Sequence, residues 1–428
     1  MKPNATKASS VMSQALQVET LSLNNGATML FRQDEEAARL AISLYFRGGN
    51  SIEPIPGMAD LVDRLLMKGT KNRSQEDISI AIDSLTLAVD TDTKRDFSQM
   101  VATVLEEDLE ASLELMSELL NDSTLAEFDK EKEKMVGEIQ MEMDAPKNRA
   151  SDGFVRTLFE GTPYNVVSSV LMDSLPLMNS IKTAEAHYRS IFRPENMLIS
   201  FAGNVDQARA VRLFEQYLPK SATTQKAPIP PNHITLKTFV EDVIVPFPKD
   251  DSAQAHIFKG WHAPALTDSD YYALNLMNTI LGGAGLSARL FTELRDKQGL
   301  AYNVRSSYEA FRLGGMFYLY IGTEPSNKDR CLEGFKIECQ KLMDTPVPAK
   351  ELDEAKANIL GRRSLYLETV HQQANYLGAQ VMMGRTVSDV HEMPERISAV
   401  TAADIQRVAQ RIMSQPAVIA VAGPSNIL

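Results

Sequence analysis

The sequence predicts an α+β protein made of two duplicated domains, each a mixed, mostly antiparallel sheet covered by helices, joined by a proline-containing linker. One observation is an internal repeat. Thr183-Ala184-Glu185 leads into Met197-Leu198-Ile199-Ser200-Phe201-Ala202-Gly203, and Thr401-Ala402-Ala403 leads into Ala417-Val418-Ile419-Ala420-Val421-Ala422-Gly423, offset by 218 at the threonines (401 − 183) and 220 at the glycines (423 − 203). A second is that short apolar runs paired through turn residues are interspersed with long helical segments. The third is Lys220-Ser221-Ala222-Thr223-Thr224-Gln225-Lys226-Ala227-Pro228-Ile229-Pro230-Pro231, a stretch of linker composition stiffened by its prolines. At 428 residues the chain exceeds what one hydrophobic core usually serves. The parse is a domain over 18–219, a linker over 220–235 and a domain over 236–428, with helices on one face of each sheet.

In chain order, Val18 to Phe31 reads as a hairpin turned at Asn24-Asn25-Gly26. Leu40 to Phe46 alternates as a strand ending at Gly48-Gly49. Ser74 to Ser84 is a helix with Ser74 as N-cap and Asp77 as its acidic partner. Leu85 to Thr93 and Asp96 to Leu105 are strands, and an acidic helical region runs from Glu106 through Asp144, broken near Asn121-Asp122-Ser123. Ala184 to Phe192 is a further helix.

With 44% apolar and 23% charged residues the composition is that of an ordinary globular protein. A net charge of −12 argues against nucleic acid or an anionic membrane as the main partner, and suits a basic substrate. Met1 to Ser10 has no apolar core of signal-peptide length and no later run approaches a membrane span. That predicts a cytoplasmic protein, or a periplasmic one if an export signal has been removed. Cys331 and Cys339 lie eight apart in the helical stretch Asp329 to Leu342, too far along one helix to join.

The stretch richest in chemistry is Gly57-Met58-Ala59-Asp60-Leu61-Val62-Asp63-Arg64-Leu65-Leu66-Met67-Lys68-Gly69-Thr70. On a helix, positions 60 and 64 share a face and 63 lies beside them. Two imidazoles there would clamp Zn2+ while a carboxylate at 63 polarised its water. Asp60 could ligate a metal, but the guanidinium of Arg64 offers no lone pair and stays charged.

The frame resembles the metal-binding helix of the pitrilysin/insulinase zinc metallopeptidases, Gly-Leu-Ala-His-Phe-Leu-Glu-His-Met-Leu-Phe-Lys-Gly-Thr. Asp60 and Arg64 stand at that family's zinc histidines and Asp63 at its general-base glutamate. The resemblance puts Glu138, in Lys134-Met135-Val136-Gly137-Glu138-Ile139, at the third ligand, and Glu131 at the supporting acid. It implies that Arg64 supplies the positive charge a zinc ion once did, bridging Asp60 and Glu138. The plainer alternative is an i,i+4 Asp–Arg pair on a solvated face.

The second half carries Leu281-Gly282-Gly283-Ala284-Gly285-Leu286-Ser287-Ala288-Arg289-Leu290-Phe291-Thr292-Glu293-Leu294-Arg295-Asp296-Lys297-Gln298-Gly299-Leu300-Ala301-Tyr302-Asn303-Val304. Its glycine spacing matches neither nucleotide fingerprint, and no Lys-Ser/Thr follows. The run is very similar to the C-terminal domain of the same family. There the residues matched by Arg295 and Tyr302 reach the active site of the zinc-bearing domain, where a guanidinium and a phenol can stabilise an oxyanion. Without the family, an Arg capping a helix C-terminus and a Tyr starting a buried strand would suffice.

The resemblance extends from about Val18 to Leu428 and includes Pro194-Glu195-Asn196-Met197. It fails at the zinc ligands and at Asp90-Thr91, where active members carry Asn-Ala on the strand that pairs with substrate. It implies a metal-free subunit of a heterodimeric, mitochondrial-processing-peptidase-like metallopeptidase, with no cofactor in this chain, zinc in a homologous partner, and a peptide as substrate. Two other readings remain: a non-enzymatic peptide-binding or scaffold subunit, and an unusual metal held by Asp60, Asp63 and Glu138, which Arg64 opposes.

Overall fold

The computed structural model describes residues 17–218 and 229–428. The linker stretch from Lys220 to Pro228 and the leader Met1 to Ser10 lie outside the described residues.

Six strands form the first sheet: β1 (Glu19–Ser22), β2 (Thr28–Gln33), β3 (Leu40–Arg47), β4 (Ala88–Thr93), β5 (Phe97–Val104) and β6 (Met197–Gly203). Their order is β1-β2-β6-β3-β5-β4. The second sheet is built from β7 (Val243–Pro248), β8 (Ala255–Ala263), β9 (Ala301–Ala310), β10 (Gly315–Thr323) and β11 (Val418–Gly423), in the order β7-β11-β8-β10-β9. Without β1 the two orders coincide, and the one parallel pair falls at the same place in each, β2 with β6 and β7 with β11. The repeat seen in sequence is thus a repeat of hydrogen-bonding pattern.

Local chemistry explains most boundaries. Gly26, at φ +98°, turns the β1–β2 hairpin. Ser74 and Asp77 form a reciprocal capping box on the helix Gln75–Ser84. The strand read from Leu85 begins only at Ala88, because Thr86 takes a left-handed φ of +47° and forms a turn. The acidic region splits into the helices Leu109–Asp122 and Phe128–Asp144. β6 and β11 are buried along their whole lengths and apolar except for Ser200, as central strands covered on both faces must be.

Helices on one face describe only half of each sheet's cover. The first sheet packs one face on the helices of its own half, among them Met58–Leu65, Leu109–Asp122 and Ile181–Ile191. Its other face is covered by the helix Val370–Met382 from the second half, which lies on β3 and β6. Reciprocally, the helix Pro146–Leu158 of the first half lies on β7, β8 and β11, where Phe154 packs against Phe258 and Tyr318. Each helix makes its closest approach at a glycine. A Cβ on Gly153 would lie 2.1 Å from the Phe247 ring, and one on Gly378 would lie 2.2 Å from the Tyr45 ring.

A buried polar network also ties the halves. The Asp96 carboxylate accepts from the Tyr164 hydroxyl (2.7 Å) and from the Arg312 backbone N–H (2.9 Å), and Leu313 N–H donates to the Tyr164 oxygen at 3.0 Å. Cys331 and Cys339 are both buried and unpaired on the helix Lys328–Asp344. Among the described residues no helix is long and apolar enough to cross a membrane.

Candidate functional site

The motif helix Met58–Leu65 starts from Gly57, whose φ of +88° only glycine adopts without strain. Its free N-terminal N–H groups are met by Glu53, which accepts from Gly57 N–H and Ala59 N–H at 2.9 Å each. Burial nonetheless pushes the Glu53 carboxyl up to about 7. Nothing in the motif itself pointed to this residue; an acid four positions before a helix-opening glycine was the available signal.

The face with positions 60 and 64 looks toward the helix Phe128–Asp144. Arg64 Nε donates to Asp60 Oδ2 at 3.2 Å, and Arg64 Nη1 donates to Glu138 Oε2 at 2.7 Å. Side-chain exposure is 29% for Arg64 and 39% for each acid, so the cluster is sheltered without being sealed. Burial works against the charge on Arg64, but Asp60 and Glu138 outweigh it and its pKa rises. Asp60 is raised by burial, with Arg64 opposing. One turn on, Lys68 Nζ pairs with the buried Glu131 at 2.8 Å. Burial resists ionisation of Glu131, and the Lys68 contact overrides it to lower the carboxyl's pKa.

Asp63 turns away from this cluster. It is 4% exposed, one oxygen accepts from the Thr93 hydroxyl on β4, and the other has no partner. Burial drives its pKa up to about 8, the Thr93 bond opposing and the charges of Asp60, Asp92 and Asp90 adding to the rise. Asp90 and Thr91 lie on the same strand, which is the open edge of the first sheet.

A zinc ion does not fit these residues. The carboxylates that could ligate it are already bonded to a permanent cation in the centre of the site, and among the described residues no three His, Cys, Asp or Glu side chains are grouped to hold a metal. Asp63, bonded to Thr93, does not share a cluster with Asp60 and Glu138, which Arg64 holds.

In the second half, Gly282 and Gly283 end a wide π-helical turn, Thr279–Gly283, and Gly285 opens a 3-10 turn, so the cluster does not start an α-helix. A Cβ on Gly282 would meet Ser306 N at 2.1 Å, so the glycine is there to let β9 approach. Arg295 ends the Phe291–Asp296 turn, with its guanidinium 4.4 Å from the Phe291 ring centre and 4.8 Å from that of Tyr302. Tyr302 is on β9, the edge of the second sheet, and is 83% exposed. It does not begin a buried strand side chain first. Among the described residues neither the guanidinium nor the phenol has a hydrogen-bond partner, and their contacts are the ring contacts of Arg295 with Phe291 and Tyr302.

Comparisons with known proteins bear on the family and the fold. The family model for insulinase (peptidase family M16) matches residues 28–166, and the one for the peptidase M16 inactive domain matches residues 180–359. An uncharacterized zinc protease of Streptomyces coelicolor is 29% identical over 375 residues, 86% of this chain and 81% of that protein. The crystal structure of a peptidase M16 inactive domain from Pseudomonas fluorescens superimposes with a TM-score of 0.85 at 23% identity, covering 96% of this chain and 99% of that one. A protease from Helicobacter pylori superimposes at 0.87 with 19% identity, covering 96% and 100%. Those two structures share the fold, and the two family models together span well over half of the sequence. The chain belongs to the insulinase, or M16, peptidase family.

Proposed function

We propose that this chain is the metal-free subunit of a heterodimeric M16 peptidase, completing the chamber around a peptide and lending Arg295 and Tyr302 to the zinc site of a homologous partner. The observation that carries this reading is the state of that pair. The Arg295 guanidinium and the exposed Tyr302 phenol are stacked together, with no hydrogen-bond partner among the described residues. Placed against a peptide carbonyl, a guanidinium and a phenol would stabilise the oxyanion that develops as water adds, without themselves moving the attacking proton. The ion-paired Arg64 supports the assignment of zinc to the other chain, because this one has no ligand set to spare.

The test is a reconstituted complex with a zinc-bearing M16 partner. Tyr302→Phe should lower turnover by about 100- to 1000-fold while assembly and the partner's metal content stay unchanged. Full activity with Tyr302→Phe and Arg295→Ala together would replace this reading with that of a non-enzymatic peptide-binding or scaffold subunit.

A further inference from the structure

Between the two halves lie two open cavities of about 320 and 400 Å³ that share Arg95 and Glu309 in their walls and include neither the Arg64 cluster nor the Arg295–Tyr302 pair in their lining. Volumes of this order are those of ordinary ligand sites. Both halves contribute: Arg95 sits in the turn between β4 and β5, and Glu309 is on β9.

The charges around these cavities are nearly all used internally. Asp152 accepts from the Ser169 N–H (2.7 Å) and hydroxyl (2.5 Å), Glu142 from the Ser168 hydroxyl at 3.0 Å, and Asp96 from Tyr164 and Arg312. Glu309 accepts from the Tyr318 hydroxyl at 3.2 Å. Arg95 is different. Its Nε donates to the Tyr164 carbonyl at 3.4 Å and its plane lies over the Phe311 ring at 4.5 Å, so the side chain is held in place. No carboxylate comes within ion-pair distance of it among the described residues, and its two terminal nitrogens have no hydrogen-bond partner there. Burial depresses its pKa, with Glu309 and Asp96 only partly opposing, which marks a cation short of counter-charge.

We propose that this junction is a carboxylate-binding subsite, in which the terminal nitrogens of Arg95 hold an acidic side chain or the C-terminal carboxylate of a peptide lying between the halves. A guanidinium fixed through Nε and its π face presents its remaining edge as a two-pronged donor, the geometry that carboxylates match. The proposal rests on the two-chain peptidase reading only for taking a peptide as the carrier of the carboxylate.

The experiment uses the full chain without any partner and three labelled Gly/Ser-rich peptides, followed by fluorescence anisotropy. One contains a Gln and an amidated C-terminus, one has Glu in place of that Gln, and one keeps the Gln but has a free C-terminal carboxylate. One or both of the carboxylate peptides should bind about tenfold more tightly, or better, than the neutral one, and the comparison between them identifies the source of the charge. Arg95→Gln should abolish the preference. Glu309→Gln, which removes a competing negative charge, should strengthen it, a gain that misfolding cannot imitate. Equal binding of all three peptides by both the native chain and Glu309→Gln overturns the proposal, as does a preference that survives Arg95→Gln. Since no partner is present, the outcome is independent of whether Tyr302→Phe disables a reconstituted peptidase.

Discussion

Arg64 donates at 2.7 Å to Glu138, a residue 74 positions further along on a different helix, while its Nε stays bonded to Asp60 on its own. The guanidinium therefore ties the motif helix to the helix Phe128–Asp144.

Removing Arg64 leaves two half-sheltered carboxylates facing each other. Exposed pairs contribute under about 1 kcal/mol and sealed ones about 3–5, so Arg64→Ala should cost about 1–2 kcal/mol, visible as a melting temperature lower by a few degrees. An unchanged melting curve would show that the pair is superficial.

The same geometry can be turned back toward metal binding. Asp60→His with Arg64→His would put two imidazoles at i and i+4 beside a carboxylate already within reach of position 64. The double variant should take up one equivalent of zinc in a titration monitored by elemental analysis, and the native chain none. Zinc retained by the native chain, or refused by the variant, contradicts the geometry.

Asp63 gives the protein a pH signature. Its carboxyl is raised from the ordinary value to about 8, so the folded state holds a proton that the unfolded state has released between about pH 4 and 8. The stability this provides is complete below pH 4 and is lost as pH climbs through 8. Relative to Asp63→Asn, the native chain should thus lose melting temperature steadily from pH 4 to 8 and then level off. A difference constant across that range would mean that Asp63 ionises normally.

The two glycines at the exchanged helices should respond unequally to a methyl group. The Tyr45 ring is completely buried and Ser200 Cβ also lies 3.0 Å from a Cβ at 378, so Gly378→Ala should cost about 1–3 kcal/mol. Phe247, only partly buried, can swing aside, and Gly153→Ala should cost less. Chemical denaturation of the two variants checks the ranking, and the reverse order would be evidence against it.

What could be read from the sequence was what local chemistry determines. The Asn24-Asn25-Gly26 turn and the Ser74–Asp77 box each carry their instructions within a few residues, and the repeat was visible because Thr183 to Gly203 recurs at Thr401 to Gly423. The i,i+4 relation of Asp60 and Arg64 was legible for the same reason, whereas Glu138 needed the family resemblance to be noticed at all. Asp63 bonding to Thr93, Glu53 capping Gly57, and Arg95 standing between two cavities depend on contacts across 30 residues or between halves, or on a turn whose shape no motif announces. The helix Pro146–Leu158 went unread altogether. Its apolar side is plain in the structure, but nothing in Phe154 or Leu158 says that the surface they bury belongs to the other sheet.

That exchange has a consequence for what counts as one folding unit here. The stretch of sequence that was duplicated is not the stretch that stands alone, since either half by itself would leave a sheet face bare and carry a helix with nowhere to lie. Conversely, the exchanged helices join the halves through contacts of their own. Two polypeptides corresponding to the halves would each present the other with a bare sheet face and a helix to cover it.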